Sequence, residues 1–379
     1  MITIRKIFLA LVAIGSIVAC SSSSSDDGPS GKTDTFDRGL LLANIADNII
    51  IPAFEDFQIK LSALDVARGN FVNDINQTNL DALSNSWLEA YKVWQYVEMF
   101  NIGKAEGIDN TNHIGFVSFF NIYPLEVADV QNGADNGNYD LTTSNYHDGQ
   151  GFPALDFLIH GLADADGTSI EKFTTNTNKD GYVNYLTDIV SRMISLNNTI
   201  LNDWKNGYRN SFVANVESSK TGSVNKTVND YVSYYERGLR ANKFGIPAGN
   251  FSNSPLPETV EAFYKQDVSK ELALEALKAV QDFFNGKAYN GSTNGESYKS
   301  YLIALDRSDL ATLINSKFDA AREKIQVLDN NFFNQINTDN TKMTEAYDAL
   351  QLVVVSLKVD MMSAFDISID EGFQDNDGD

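Results

Sequence analysis

Apolar residues recur every three or four positions along most of the chain, and this spacing constrains the fold more than any other feature. The spacing is that of α-helices with one buried face. The clearest stripes cover residues 80–100, 182–204, 224–239, 260–284, 310–328 and 343–361. No stretch alternates as a strand does between hairpin turns. The sequence therefore predicts an all-α fold of two packed antiparallel helical bundles.

The two predicted bundles span residues 36–212 and 213–379. In the first bundle, Pro52 is expected to kink or break a helix, since proline lacks the amide that a helix interior needs. Thr78, followed by Asp81, predicts the start of the next helix. Residues 101–150 are rich in Gly, Asn and Asp and are expected to form a long irregular insert, of the kind that is often functional.

The first 35 residues read as an export and anchoring segment. Arg5 and Lys6 precede a short apolar run that ends in Ile-Val-Ala-Cys, which resembles a bacterial lipobox. This pattern predicts a signal peptide over residues 1–19, lipidation of Cys20 and a flexible polar tether over residues 20–35. The alternative is an ordinary signal peptide that is cleaved nearby. A lipoprotein would be anchored in the outer membrane, facing the periplasm or the cell surface, and the lipid would be its only membrane contact.

The chain carries a formal net charge of -22. Such an acidic chain has no spare basic surface for nucleic acid or for anionic lipid head groups. Cations are its natural partners, although solubility outside the cell also accounts for the charge.

One short stretch, Gly151 to Gly161, combines several helix signals with polar side chains. Pro153 suits a first helical turn. Asp156 and His160 lie four residues apart and therefore share one face of the predicted helix. Because Gly151 has no Cβ, it permits a close approach of another backbone segment.

Five stretches together resemble the imelysin-like family of bacterial envelope proteins, once classed as metallopeptidases. The first is the tryptophan helix with Trp87, Trp94 and Glu98, and the second is 151–161, which resembles a Gly-x-His-x-x-Glu signature. The others are the turn 243–249 with the helix start at 260–261, the last helix around 357–361, and the acidic terminus 373–379. The resemblance implies two helical bundles with a site between them, and a role in iron or metal handling.

The signature changes in this chain, because Pro153 stands at the His position and Asp156 at the Glu position. The metal-ligand set that remains is Asp156, His160 and Glu98, which would suit a divalent metal or iron. The alternative is that Asp156 favours the helix start electrostatically and His160 is a polar residue near a helix end. Lys243 is a candidate partner for Glu98 if that carboxylate is buried; an exposed Glu98 is equally compatible with the sequence.

The sequence thus favours a binding protein of the cell envelope that engages a metal ion, a metal complex or a peptide. The predicted ligand-binding residues are Glu98, Gly151, Pro153, Asp156 and Lys243. The alternative is a metal-dependent peptidase. No catalytic residue is predicted, since the three histidines form no His-Glu-x-x-His motif and no Gly-x-Ser-x-Gly marks a nucleophile.

Overall fold

The computed structural model describes residues 34–108, 115–163 and 169–370. Within these ranges every regular element is helical, and the sole β feature is an isolated bridge between Lys287 and Asn294. The all-α prediction is confirmed. In the same ranges no helix is both long and apolar enough to cross a membrane.

The first half of the chain contains nine α-helices among the described residues. They are α1 Arg38–Asn44, α2 Ile51–Asn73, α3 Gln77–Val97, α4 Val117–Phe120, α5 Val127–Asn136, α6 Gly151–Asp156, α7 Ser169–Thr174, α8 Lys179–Asp203 and α9 Arg209–Ala214. Wider π-helical turns at Ile45–Ile50, Phe157–Gly161 and Trp204–Tyr208 extend α1, α6 and α8, and 3₁₀ turns lie at Gly103–Ala105 and Ser144–Gly149.

The second half contributes seven more described α-helices. They are α10 Ser223–Ser233, α11 Ile246–Ala248, α12 Ser269–Phe284, α13 Tyr298–Ala304, α14 Ser308–Gln326, α15 Phe332–Val355 and α16 Met362–Ala364. Long π-helical segments, Tyr234–Gly245 and Ser356–Met361, follow α10 and α15, and a 3₁₀ turn lies at Pro257–Thr259.

The start of α3 lies slightly before the predicted position. Asn76 is the N-cap, and its side-chain oxygen accepts a hydrogen bond from the Asn79 amide at 3.0 Å. Asparagine is among the best N-cap residues because its short side chain reaches the free amides of the first turn. The cap is therefore Asn76 and not Thr78.

Pro52 does not break its helix. It lies in the first turn of α2, directly after the π-helical turn Ile45–Ile50. The missing amide of Pro52 would have bonded the carbonyl of Asn48 in a regular helix. That carbonyl instead accepts the Tyr289 amide at 2.8 Å, so its hydrogen bond is supplied by the other half of the chain.

The segment 101–150 is less irregular than its composition suggests. Val127–Asn136 is a helix of ten residues, and it ends at Gly137 in the left-handed conformation that favours glycine. The helix packs against α8. The Gly, Asn and Asp residues therefore end short helices as well as forming loops, and the prediction of a wholly irregular insert needs this correction.

Two groups of helices build the core. In the first half α2 packs against α3 and α8, and in the second half α14 packs against α12 and α15. Contacts between α3 and α12 join the groups, and the chain from Phe36 onward forms one compact unit. The division near residue 212 remains a prediction. Cys20, the polar tether, His113 and the acidic terminus from residue 371 lie outside the described residues.

Candidate binding site around the Gly151–Gly161 helix

The helix that begins at Gly151 is held close to another backbone segment. Gly151 has φ +72°, and a Cβ placed there would clash with the carbonyl of Phe120. Only glycine combines this backbone conformation with so close an approach. Pro153 lies in the first turn, as predicted, and α6 then continues through Asp156 into the π-helical turn Phe157–Gly161.

Asp156 is an anchor for a distant loop. Its Oδ2 accepts the Tyr264 amide at 2.9 Å, and its Oδ1 accepts the Lys265 amide at 2.9 Å. Oδ1 also lies 2.8 Å from Nδ1 of His160, one helical turn onward. The side chain is 2 % exposed. Both carboxylate oxygens thus have protein partners, and the helix is tied to the segment that precedes α12.

His160 extends this hydrogen-bonded chain to α3. Its Nε2 lies 2.8 Å from the hydroxyl oxygen of Ser84, and its ring meets the Trp87 ring edge-on at 5.3 Å between centroids. The indole nitrogen of Trp87 donates to the carbonyl of Phe152 at 3.2 Å. Asp156 and His160 therefore share one face, as their spacing predicts.

Glu98 is buried in a second polar cluster and faces Lys243, as one of the two sequence alternatives expects. The Glu98 side chain is 6 % exposed, and its Oε2 lies 3.6 Å from Lys243 Nζ. Oε1 accepts from Asn121 at 3.0 Å, and Oε2 accepts from the Tyr234 hydroxyl at 3.1 Å. An exposed Glu98 is excluded.

Glu261 is the closer partner of the same lysine. Lys243 Nζ donates to both Glu261 carboxylate oxygens at 2.7 and 2.8 Å. Asn121 and Gln95 also donate to Glu261 Oε1, at 3.0 and 3.3 Å. Two buried carboxylates therefore share one ammonium, and this cluster carries a net negative charge when both are ionised.

Burial sets the electrostatics of the cluster. Loss of hydration raises the pKa of Glu98, and the charge of Glu261 raises it further, while Lys243 acts in the opposite direction. Burial also holds the pKa values of Tyr91 and Tyr234 well above their ordinary range. Both phenols therefore stay protonated at neutral pH, and Tyr234 donates to Glu98 as a neutral group.

A cleft of about 190 Å³ opens beside Asp156. Most of its surface is apolar or aromatic, and its charged side chains are both carboxylates. It is lined by Tyr123, Pro124, Leu125, Pro153, Asp156, Glu258, Val260, Ala262, Phe263 and Tyr264. Glu258 is exposed at this cleft. Ala262 has φ +57°, a rare conformation for a side chain with a Cβ, of the kind found in ligand-contacting loops.

The predicted ligand residues do not all line one cavity. Pro153 and Asp156 line the cleft described above, whereas Glu98 lines another, of about 300 Å³, with Tyr234 and Asp230. Lys243 pairs with Glu98 and Glu261 and makes no contact with Asp156. Among the described residues no group of three His, Cys, Asp or Glu side chains is placed to hold a metal ion. Pro153 supplies no ligand atom, and the oxygens of Asp156 are occupied, so these residues do not fit a resident metal centre at the signature.

Five residues whose side chains complete these networks were not singled out from the sequence: Ser84, Gln95, Asn121, Tyr234 and Glu261. Glu261 stood in a predicted helix start, but the structure has no helix there and α12 begins at Ser269. A useful signal was available, because Glu261 is a lone carboxylate among Val260, Ala262 and Phe263. An acidic residue in such an apolar run needs a buried partner. Ser84 and Asn121 carry no comparable signal.

Comparisons with known proteins agree with this architecture. The family model of imelysin matches residues 50–357, so the chain belongs to the imelysin family. A solved structure from Parabacteroides distasonis, described as a candidate iron-regulated protein A precursor, superposes with a TM-score of 0.69 at 16% identity. That match covers 89% of this chain and 97% of the other.

A second solved structure, an imelysin-like protein from Psychrobacter arcticum, gives a TM-score of 0.67 at 16% identity. The match covers 88% of this chain and 97% of the Psychrobacter chain. At such identity the likeness shows the shared fold. No curated protein matches the sequence.

Proposed function

We propose that this imelysin-family protein is a cell-envelope binding protein that takes up a cationic cargo, in the form of a metal ion or a metal complex. Iron is the favoured metal, because one structural relative is described as a candidate iron-regulated protein. A peptide that presents a basic group is the other ligand class compatible with the cleft.

The observation that carries this proposal is the set of hydrogen bonds that Asp156 makes. Its oxygens accept two backbone amides and contact His160, while Pro153 replaces the signature histidine. A zinc peptidase needs about three protein ligands, an open coordination position and a general base. An anchored Asp156, with a proline at the signature histidine position, supplies none of these, and binding is favoured over metal-dependent peptide hydrolysis.

The charges of the cleft supply the ligand preference. Two carboxylates, from Glu258 and Asp156, line the cleft together with the aromatic side chains of Tyr123, Phe263 and Tyr264. Cations are attracted to carboxylates and also to the faces of aromatic rings. The cleft is smaller than the usual range of about 300–1,000 Å³ for drug-sized ligands. It therefore suits a small cation or the positive end of a larger cargo.

The envelope location rests on the N-terminal sequence. A lipid on Cys20 and a polar tether would hold the helical unit at the outer membrane, where cargo from outside the cell arrives. The run of serine and aspartate residues after Cys20 favours export to the cell surface over retention on the periplasmic face.

Calorimetric titration of the mature, chelator-treated protein tests the proposal. The probes are Fe(II) under anaerobic conditions, Mn(II), cobalt(III) hexaammine and lysine amide. We expect saturable binding of at least one probe and a weakening of about fivefold in Glu258→Gln, since one nearby charge contributes about 1 kcal/mol in water. Glu323→Gln, an exposed acid outside the cleft, is the matched control. Failure of all four probes, or equal binding by Glu258→Gln, would overturn the proposal.

The competing function, a metal-dependent peptidase, is tested on the same preparation. Unstructured peptides should remain uncleaved with and without added zinc or iron. Chelator-sensitive cleavage that disappears in Asp156→Ala would establish the peptidase instead.

A further inference from the structure

Ser84 makes an unusual hydrogen bond for a serine inside a helix. The hydroxyls of Ser62, Thr187 and Thr227 each donate to the carbonyl four residues earlier, at 2.6–2.8 Å. This local bond is the ordinary choice for a helical hydroxyl. Ser84, in the middle of α3, instead lies 2.8 Å from Nε2 of His160.

The surrounding groups fix the direction of the hydrogen bonds. A carboxylate only accepts, so the imidazole proton lies on Nδ1, where it faces Asp156 Oδ1 at 2.8 Å. Nε2 of the neutral ring then carries a lone pair, and the Ser84 hydroxyl donates to it. Two backbone amides, from Tyr264 and Lys265, hold the Asp156 carboxylate and therefore the ring orientation.

Ser84, His160 and Asp156 thus have the order of contacts found in serine nucleophile triads: hydroxyl to imidazole to a buried carboxylate. Such triads are recognised by geometry and roles, and not by order in the chain. Solvent reaches the group of three in this protein, since His160 is 15 % exposed and Ser84 is half-buried, while Asp156 is buried.

We propose that Ser84 is an activated nucleophile that accepts an acyl group from small esters. Its oxygen attacks the ester carbonyl while Nε2 of His160 takes the hydroxyl proton, and Asp156 stabilises the imidazolium. The bond to the alcohol breaks, and the alcohol leaves with that proton. Water then attacks the acyl-serine and gives its proton to the same nitrogen, and the carboxylic acid is released as the Ser84 hydroxyl is restored. No metal, oxidant or other co-reactant is needed.

The position of Ser84 inside a helix predicts a slow rate of ester turnover. The Ser84 amide is committed to the α3 hydrogen-bond ladder and does not serve as a donor to the developing oxyanion. Loss of one such donor costs about 10²–10³ in rate in other enzymes. We therefore expect slow turnover and choose covalent labelling of the serine as the readout.

The test incubates the full mature protein with an alkyl fluorophosphonate, in which Ser84 displaces fluoride from phosphorus. Peptide mass spectrometry identifies the labelled residue. We expect labelling at Ser84, none in Ser84→Ala, and a rate at least about tenfold lower in His160→Asn. Asparagine places its amide near the Nδ1 position and keeps a donor for Asp156, but it has no group equivalent to Nε2. Ser62→Ala is the matched control and should label as the wild type does.

The comparison of wild type with His160→Asn separates activation by His160 from simple exposure, because both proteins keep the Ser84 hydroxyl. Labelling elsewhere, no labelling, or equal rates in wild type and His160→Asn would overturn the proposal. Melting temperatures of each variant confirm that the fold is retained. The outcome is independent of cation binding, so failure here leaves the proposed binding function intact.

Discussion

Lys243 donates to both carboxylate oxygens of Glu261, at 2.7 and 2.8 Å, while both side chains are almost completely buried. Glu98 adds a second carboxylate 3.6 Å from the same ammonium. Glu261 and Glu98, which lie 18 and 145 positions from Lys243 in the sequence, are thereby joined with it in one buried charge cluster.

Replacing Lys243 with methionine should destabilise the protein strongly. The change keeps most of the side-chain volume but leaves two buried carboxylates without a cation. Removing one partner of a buried ion pair costs about 3–5 kcal/mol. Urea denaturation should show this loss at pH 7. Lys324→Met is the control, because its partner Glu345 is half exposed and such surface pairs contribute about 0–1 kcal/mol. Equal effects of the two substitutions would contradict the cluster.

Glu98→Gln should change how stability depends on pH. Burial raises the pKa of Glu98 in the folded state above its unfolded value of about 4.3. The folded protein therefore holds a proton that the unfolded chain releases, and this contribution to stability is present at low pH and lost as pH rises through the folded pKa. The variant lacks that loss. Its stability should fall less than that of the wild type between pH 4.5 and 7, whereas Glu323→Gln should follow the wild type. If the stability of Glu98→Gln depends on pH as that of the wild type does, folding does not raise the pKa of Glu98.

Gly151→Ala should be far more damaging than the same change at Gly69. A Cβ at Gly151 would clash with the Phe120 backbone and would occupy a left-handed conformation, whereas Gly69, in α2, has open space around it. Alanine in a helix interior is better than glycine by about 0.5–1 kcal/mol. Thermal unfolding should therefore show Gly151→Ala destabilised and Gly69→Ala slightly stabilised. A Gly151→Ala variant as stable as the wild type would contradict the close approach.

Cys20→Ser should abolish lipidation. Without a thiol the precursor would stay uncleaved or the protein would be released in soluble form, because the lipid is the proposed anchor. Membrane fractionation and the intact mass of the mature chain provide the measurement. Wild-type membrane association of Cys20→Ser would contradict the lipobox interpretation.

Much of the fold could be predicted from periodicity, because apolar residues on the buried face of a helix recur every three or four positions. The pairing of Asp156 with His160 was predictable for the same reason, since it depends on spacing within one helix. The close approach at Gly151 was predictable because glycine has no Cβ. The pairing of Lys243 with Glu98 was one of two alternatives. It could be suggested because a buried carboxylate needs a cation.

The errors arose where distant segments override local preference. Residues 260–268 carry a helical apolar pattern, yet Asp156 takes the amides of Tyr264 and Lys265 that a helix would have used. Positive φ values at Ala262 and Gln266 also prevent α12 from beginning earlier. Ser84 and Asn121 became site residues through tertiary contacts alone. No spacing rule within one sequence reports such contacts.

The most direct measurement compares Asp156→Asn with wild type in metal-free urea unfolding, and repeats both with Fe(II) under anaerobic conditions. Asparagine removes a charged acceptor of two backbone amides, and hydrogen bonds to charged groups contribute about 1.5–3 kcal/mol each. We expect a loss of at least about 2 kcal/mol without any metal, and wild-type stability in Asp348→Asn, an exposed control. Added iron should not restore Asp156→Asn to the wild-type level. If metal-free stability is unchanged and the variant loses only an iron-dependent stabilisation, Asp156 is a metal ligand and not the anchor of the 264–265 loop.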